Sequence, residues 1–472
     1  MNRIIRSIIS FLAVGIMIVL GVLYFSNVTE RKDSREKFAE FYEVEENVDV
    51  LFIGSSHVLN GIFPMELWNE YGMVSYNMAG HGNRMAMNYW TLKNALDYTT
   101  PELVVLDACM LGTDEKIGNL EQLHILVDHI PYSQTKVDMI NDLVEEEDRR
   151  SDFLWKFSTY HNRWNELGER DFALNTPPEK GAESRIDVAV PVEMQYFEAD
   201  YKVPEEDGLG VEYACKIIEE CQQQGIDILV TYLPFPDSSG WQGESNRMAE
   251  IAEDYGVDFL DYYTLLEQVN LDTDYYDQDS HMNPSGARKI TSYIGNYIMQ
   301  NYSVDDQREN EAYSSWHEDY EVYTEFKKEN IEKEEELKNY LMLLSDKGFS
   351  YGIYVKPWGN LGSHPVLVQL LNGMGIDYTQ VPSEDYFLLV DNVSGERKEM
   401  RLFETMETRF ADFSMFYNDD GHLELTNSEA ESMIITHSDI AIVVFDNTDL
   451  SFVDQKKFTL QDVELEFFEN KE

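Results

Sequence analysis

Two short polar segments have the residue types that acyl-ester chemistry requires. Such chemistry by a serine needs an exposed hydroxyl, a base, a group that orients the base, and donors for the oxyanion. The first segment, "FIGSSH" at 52–57, breaks off an apolar run and offers Ser56 as the nucleophile. The same composition is also typical of an ordinary Gly-Ser turn at the end of a strand.

The second segment, "DQDSHMNPSG" at 277–286, lies just before a predicted helix and offers His281 as the base. A nearby carboxylate would fix the tautomer of the ring and stabilise the imidazolium. We expect Asp279, two residues before His281, to be this carboxylate, and Asp277, four residues before it, is the alternative. Asp279 is equally suited to capping the helix that follows.

Both segments lie at strand–loop junctions of one alternating pattern of strands and helices. Continuous apolar runs bounded by helices indicate a parallel sheet that is covered on both faces. The sequence therefore predicts an α/β fold. The predicted strands are 48–54, 74–79, 102–108, 226–233 and 257–262.

Composition excludes some classes of function. The chain has 472 residues and a formal net charge of −53, which makes binding to a phosphate backbone improbable, so no nucleic-acid partner is expected. Its three cysteines are too few for a disulfide framework. No Cys/His spacing resembles a metal site, so we predict neither a metal nor a cofactor.

Residues 8–25 carry no charge and, with their flanks, are long enough to cross a bilayer as a helix. Arg3 and Arg6 precede this segment, which places the N-terminus inside the cytoplasm and the rest of the chain outside it. No small-residue cleavage site follows, so we expect an uncleaved anchor. The predicted organisation is an anchor at 1–27, a stalk at 28–46, an α/β domain at 47–303 with an insertion at about 111–205, a linker at 304–330, and a small C-terminal α+β domain of unknown role at 331–472.

"GSSH" after the first strand, together with "DSHMNPSGA" before the last helix of the α/β unit, resembles the SGNH (GDSL-like) hydrolase superfamily. The membrane-anchored branch is the most similar, and it includes cell-surface polysaccharide O-acetyltransferases and the D-alanyl transfer protein of teichoic acids. The resemblance covers roughly residues 47–302. It implies a flavodoxin-like three-layer fold, with Ser56 as nucleophile and His281 as base.

The resemblance also implies an oxyanion hole. "YNMAGHGNRM" at 76–85 is similar to the turn of the second conserved block, which makes Gly82 and Asn83 the expected donors, with Gly80 as the alternative glycine. The third block normally supplies an Asn, where this chain has Asp107. A carboxylate cannot donate a hydrogen bond unless it is protonated.

Four further residues are candidates for substrate binding. His57 directly follows the nucleophile, although a residue at this position often only begins the helix. "STYHNRW" in the insertion offers His161, Arg163 and Trp164 for sugar stacking and anion binding. A locally packed aromatic helix is an equally good interpretation of that segment.

The resemblance thus predicts an extracytoplasmic serine enzyme that transfers or removes O-acyl groups, most simply acetyl, on a cell-surface glycan. A membrane-bound O-acyltransferase is the expected protein partner and acyl donor. The alternative is a non-catalytic glycan-binding or assembly subunit of a polysaccharide-modification complex. Two departures from the superfamily favour this alternative: Asp107, and Gln278 at the position three residues before the histidine where the superfamily usually has its acidic residue.

Overall fold

The computed structural model describes residues 2–32, 37–38, 40–43, 46–172, 177–189, 207–235, 239–278, 281–356, 361, 364–377 and 384–460. The chain begins with a long helix, α1 (Asn2–Thr29). Within it, Ile5–Thr29 is long and apolar enough to cross a membrane, and most of its side chains are exposed. Such a helix can serve as a membrane anchor or as a signal sequence.

The first half of the α/β unit alternates strands and helices, and its strands are buried throughout because both faces of the sheet are covered. Pro64 occupies the first turn of its helix and Gly72 ends that helix in the left-handed conformation, as expected for these residue types. The elements are β1 (Val50–Ile53), α2 (Ser56–Gly61), α3 (Pro64–Tyr71), β2 (Ser75–Asn77), α4 (Met85–Ala95) and β3 (Leu103–Asp107).

An insertion then interrupts the alternation. Its described residues form short helices and two 3₁₀ turns, at His161–Asn165 and Glu169–Asp171. The first three helices contribute side chains to the core of the α/β unit, whereas the last helix and the first 3₁₀ turn contact α1. The helices are α5 (Leu120–Val127), α6 (Gln134–Leu143), α7 (Arg150–Leu154) and α8 (Lys156–Tyr160).

The alternation resumes with α9 (Leu209–Gln224), β4 (Asp227–Thr231), α10 (Ser239–Tyr255), β5 (Asp258–Leu260), α11 (Tyr262–Leu266) and α12 (Pro284–Asn301). The five strands form one parallel sheet in the order β2-β1-β3-β4-β5. In this order the topological switch point, where the strand order reverses direction, lies between β1 and β3. In open parallel sheets, ligands bind beside such a point at the carboxyl ends of the strands. The predicted α/β fold with a parallel sheet is confirmed.

The interval 304–330, predicted as a linker, contains most of a 20-residue helix, α13 (Ser314–Lys333). Trp316 of this helix is buried and packs on Trp68 of α3 with ring centroids 5.7 Å apart. Lys327 forms an ion pair with Glu66 at 3.0 Å. The interval is therefore part of the packed structure in this region.

Within the described residues after Lys333, the C-terminal region contains two helices and two antiparallel sheets. One sheet has the order β14-β13-β6-β7-β8 and the other β12-β11-β10-β9. The elements are α14 (Leu337–Leu343), β6 (Phe349–Val355), α15 (Pro365–Gly373), β7 (Tyr386–Val390), β8 (Arg397–Arg401), β9 (Thr405–Glu407), β10 (Asp412–Tyr417), β11 (Leu423–Asn427), β12 (Met433–Ile434), β13 (Ile440–Asp446) and β14 (Phe452–Phe458).

Candidate active site

Ser56 is the first residue of α2, immediately after the carboxyl end of β1. Gly54 makes the tight connection possible, because a Cβ at this position would lie 2.5 Å from Cγ2 of Val58. Ser55 is the N-cap of the helix, and its side chain accepts a hydrogen bond from the backbone N–H of His57. The strand therefore ends in a turn that presents the Ser56 hydroxyl at the edge of the sheet.

His281 lies opposite this turn although it is 225 residues away in sequence. Its Nε2 atom is 2.8 Å from Oγ of Ser56, which is the distance of a good hydrogen bond. The His281 side chain is 27% exposed, so a substrate can approach it. The structure thus brings together the expected nucleophile and the expected base.

The carboxylate that contacts His281 belongs to Asp277. Its Oδ2 atom is 2.5 Å from Nδ1 of the ring, and its Oδ1 atom accepts the backbone N–H of His281 at 3.0 Å. Asp279, which the sequence favoured for this position, lies outside the described residues. The orienting position is occupied by the alternative carboxylate, four residues before the histidine.

Asn283 holds the loop of His281 in place. Its side-chain amide donates to the carbonyl oxygens of Thr273 at 2.8 Å and Tyr275 at 3.3 Å, and its Oδ1 accepts N–H groups at the start of α12. The backbone N–H of Tyr276 donates to the carbonyl of His281 at 2.8 Å, which closes the loop. Asn283 is not among the residues predicted from sequence, although an Asn directly before a Pro at a helix start is a capping signal.

The predicted oxyanion loop packs against the nucleophile turn. The N–H of Gly80 donates to the carbonyl of Gly54 at 3.3 Å. Gly82 has a φ of +64°, a left-handed backbone conformation that favours glycine. Asn83 is buried, lies against Gly80, and donates from Nδ2 to Asn88 at 3.3 Å. Gly82 and Asn83 therefore belong to a loop that contacts the turn before Ser56.

Asp107 has a structural role at the ends of β3 and β4. Its carboxylate accepts the backbone N–H of Leu233 at 2.8 Å and that of Cys109 at 3.1 Å. Burial raises the pKa of Asp107 to about 7, although these hydrogen bonds oppose the shift. Asp107 thus accepts hydrogen bonds from backbone donors instead of supplying a donor.

His57, the residue after Ser56, lies in a buried polar cluster with Asp107 and Cys109, and the ligand-type atoms of these three residues all lie within 4.8 Å of one another. Each of these residues already takes part in hydrogen bonding: Nδ1 of His57 is 3.1 Å from Oγ of Ser55, the thiol of Cys109 also contacts Ser55, and Asp107 holds backbone N–H groups. Among the described residues, no other group of three His, Cys, Asp or Glu side chains has its potential metal ligands this close together. The hydrogen bonds of the cluster form a polar network that supports the turn between β1 and Ser56.

A cavity of about 380 Å³ lies beside the oxyanion loop, and Gly80 and His81 form part of its wall. Glu183 connects this wall to the loop of the base, since it contacts His81 at 3.0 Å and Arg185 at 2.6 Å. The guanidinium of Arg185 lies over the ring of Tyr276. The cavity is therefore close to the oxyanion loop and to the loop that carries His281.

The three candidates from the insertion lie elsewhere, at the end of α1. Arg163 donates to the carbonyl of Thr29 at 2.8 Å and pairs with Asp171 at 3.1 Å. His161 contacts the carbonyl of Ser158 at 2.9 Å, and Trp164 is exposed. The contacts of these three residues within the described part of the chain are local or with α1, so they do not indicate a sugar site beside Ser56.

No family model matches this chain, and no curated protein matches it. Among solved structures, the chain is similar to a protein of Bacteroides fragilis NCTC 9343 that is provisionally described as an acylhydrolase. The TM-score is 0.30 and the sequence identity is 12%, over 57% of this chain and 98% of that chain. What the candidate site can do is therefore inferred from its own geometry.

Proposed function

We propose that this chain is an SGNH-type serine enzyme that transfers or removes acyl groups on ester substrates. The observation that supports this most directly is the chain of contacts from Ser56 through His281 to Asp277, with distances of 2.8 and 2.5 Å. A serine hydroxyl, an imidazole and a carboxylate in this order form a catalytic triad whatever the fold that carries them. The strand order and the loop of Gly82 are those expected of the flavodoxin-like SGNH fold.

In the proposed reaction, Nε2 of His281 takes the proton of the Ser56 hydroxyl as Oγ attacks the acyl carbon. The Oγ–C bond forms, the ester C–O bond breaks, and the imidazolium returns its proton to the departing alcohol. Asp277 keeps the ring in the tautomer that accepts this proton and stabilises its positive charge. The backbone N–H groups of Ser56 and Gly82, with the amide of Asn83, are the proposed donors to the oxyanion.

The acyl-enzyme then reacts with a second hydroxyl. Water gives an esterase, and a sugar hydroxyl gives an O-acyltransferase. We propose transfer of an acetyl group to a cell-surface glycan, with a membrane-bound O-acyltransferase as the donor. The cavity beside His81 and Arg185 is the proposed binding place of the glycan, because its wall combines apolar surface with charged side chains such as Glu183 and Arg185 that can form hydrogen bonds with sugar hydroxyls.

The apolar helix α1 supports a cellular location for this activity. We propose that α1 remains as an anchor in the cytoplasmic membrane, with the N-terminus inside and the α/β unit outside. A glycan of the cell envelope would then be within reach of Ser56.

Asp107 favours the second candidate function, a non-catalytic glycan-binding or assembly subunit. Its carboxylate accepts hydrogen bonds from backbone N–H groups, at a position where the superfamily usually has an oxyanion donor. Such a protein would keep the fold and the cavity and would lack turnover.

A serine-directed phosphonate distinguishes the two candidates. The full chain in detergent is incubated with the phosphonate, and the modified peptide is identified by mass spectrometry. We expect the adduct on Ser56 and no adduct in Ser56→Ala, since only a hydroxyl beside a base reacts quickly. Ser55→Ala is the matched control and should still be labelled. An unlabelled wild-type protein would favour the non-catalytic subunit.

Transfer is separated from hydrolysis by adding an oligosaccharide acceptor to an activated acetyl ester. Acetylated sugar that forms with wild type and not with Ser56→Ala supports transfer. Free acetate as the sole product, at saturating acceptor, would refute the transferase and leave the esterase.

A further inference from the structure

Four large aromatic side chains of the insertion are exposed to an unusual degree. Tyr132 is 75% exposed, Trp155 56%, Trp164 65% and Phe172 63%. We call this set the aromatic collar. Exposed apolar side chains indicate a contact surface when they are grouped in one region of the molecule. The proposed acyl chemistry does not use any of the four residues.

Each member of the collar lies next to a contact with the end of α1. The ring of Phe157, two residues after Trp155, lies 6.0 Å from that of Phe25. Arg163, which precedes Trp164, donates to the carbonyl of Thr29 at 2.8 Å. Phe172 follows Asp171, the ion-pair partner of Arg163, and Tyr132 follows Pro131, which lines a cavity together with Val22 of α1.

A hydrogen bond and an ion pair fix the junction between α1 and the insertion. Lys32 donates to the carbonyl of Asn27 at 2.6 Å, and cations at this end of a helix are favourable because its last carbonyl groups lack partners within the helix. Glu30 is buried and pairs with Lys156 of α8 at 2.7 Å. The orientation of the insertion therefore follows the orientation of α1.

The length of α1 locates the collar relative to a membrane. The 25 residues of Ile5–Thr29 extend over roughly 37 Å as a helix, whereas the hydrocarbon core of a bilayer is about 30 Å thick. Because Arg6 is charged, the core begins after it, and about 20 helical residues then bring its far side to Ser26. Phe157 and the collar then lie at the level where apolar acyl chains meet the polar headgroups.

A cavity of about 480 Å³ between α1 and the insertion lies at this level. Val22, Leu23, Leu154 and Trp155 form an apolar part of its wall, and Glu30 and Lys156 contribute charged groups. A wall that changes from apolar to charged across the membrane boundary suits the transition from acyl chain to headgroup.

We propose that the aromatic collar is immersed in the interfacial layer of a phospholipid bilayer, so that the insertion seats the α/β unit directly on the membrane. Tryptophan and tyrosine favour this layer because they combine an apolar ring with a polar group. The inference rests on the proposed retention of α1 as an anchor. It assigns Trp164 and Arg163 to membrane seating and not to sugar binding.

Fluorescence quenching by brominated lipids tests this proposal. The full chain is reconstituted in vesicles of phosphatidylcholine and phosphatidylglycerol whose acyl chains carry bromine close to the headgroup. The chain has seven tryptophans, and two of them belong to the collar. We expect quenching of the emission of these two, and we expect the double variant Trp155→Phe with Trp164→Phe to lose at least roughly three-quarters of the absolute quenching, since bromine quenches only at near contact with the lipid.

Trp90→Phe is the matched control, because Trp90 lies on α4 of the α/β unit and donates to Asp142 at 2.8 Å. It should keep the full absolute quenching. Both single collar variants are measured as well, each with a thermal unfolding curve, so that a folding defect in the double variant does not decide the result. Equal quenching in wild type and the double variant would overturn the proposal.

Extraction with alkaline carbonate separates this inference from the anchor on which it depends. Protein that is released by carbonate lacks an anchor, and this result overturns both proposals. Protein that stays in the bilayer without quenching of its collar overturns the seating alone. A collar that binds a membrane protein instead of lipid gives the latter result, because the vesicles contain no other protein.

Discussion

Two serine–histidine pairs lie side by side at the end of β1, and only one of them has the surroundings of a catalytic pair. Oγ of Ser56 is 2.8 Å from His281, and Oγ of Ser55 is 3.1 Å from His57. The two imidazole rings are stacked with centroids 5.7 Å apart. The pairs thus differ little in distance and must be distinguished by what surrounds them.

The difference lies in the second nitrogen of each ring. Nδ1 of His281 contacts the carboxylate of Asp277, and the ring is partly open to solvent. Nε2 of His57 is buried without a hydrogen-bond partner among the described residues, and the ring is stacked on Phe235 at 4.6 Å. Burial lowers the pKa of His57 to about 3, so this ring stays neutral. A serine beside a histidine is thus insufficient for catalysis without a carboxylate and access.

The largest expected effect distinguishes the two serines. Ser56→Ala should lower kcat/KM for an activated ester by roughly 10⁴-fold or more, because the nucleophile is lost. Ser55→Ala should stay within about tenfold of wild type, since Ser55 only supports the turn. Steady-state kinetics of the full chain in detergent check this. The opposite order of the two variants would assign the nucleophile to the buried pair.

The next effect concerns the carboxylate that separates the two pairs. Asp277→Asn should lower kcat by roughly 10³- to 10⁴-fold, because the amide favours the wrong tautomer of His281. Asp279→Asn is the matched control and should change kcat by less than about tenfold, since Nδ1 of the ring already has its partner. The kcat values of the two variants decide the assignment. A larger loss in Asp279→Asn would restore the carboxylate that the sequence favoured.

The buried pair should affect stability in acid. The pKa of His57 is lowered to about 3 in the folded state, whereas an unfolded histidine titrates near pH 6.5. The contribution of His57 to the free energy of unfolding is therefore complete above pH 6.5. It is lost as the pH falls toward 3, because the unfolded chain binds a proton that the folded chain does not. Between pH 7 and pH 5, the free energy of unfolding of wild type should fall by about 2 kcal/mol more than that of His57→Gln.

Denaturant midpoints of both proteins at the two pH values measure this difference. Groups that do not interact with His57 titrate equally in wild type and variant, so their effects cancel. Parallel changes in the two proteins would show that His57 is protonated as easily when folded as when unfolded.

The smallest effect concerns the cap of α2. Ser55 accepts the N–H of His57, so Ser55→Ala should lower the free energy of unfolding by about 1 kcal/mol. Ser56→Ala removes no cap and should lie within about 0.5 kcal/mol of wild type. Urea unfolding of both variants measures the contrast. An equal loss in both would mean that the cap contributes little.

The parallel sheet could be predicted because its strands are continuous apolar runs, and this pattern has few other interpretations. Helix α13 could not be predicted as part of the core. Its buried residues, Trp316 and Tyr323, are separated by charged side chains, and its buried Lys327 is stabilised by Glu66 and by Asp346 at 3.0 Å. These partners are far away in sequence, so the segment alone reads as solvent-exposed.

The candidate site, too, could be predicted from local sequence pattern but not where it depends on how the chain folds. Residue types and strand junctions indicated Ser56 and His281, and the structure brings the two together. The choice between Asp277 and Asp279 depends on how the loop turns. An antiparallel β-bridge between Tyr275 and Met282 turns the chain back on itself, so that Asp277 faces the His281 ring. The spacing of residues in the sequence does not contain this information.

The segment between α1 and β1 is more than a tether. Phe38 and Phe41 are buried in the core of the α/β unit, Tyr76 donates to the carbonyl of Lys37 at 2.9 Å, and Lys37 donates to that of Ala79 at 2.6 Å. A protease that cut after this segment would remove core side chains together with α1. Such a cut would therefore unfold the α/β unit in part, and a stable fragment without α1 must begin before Lys37.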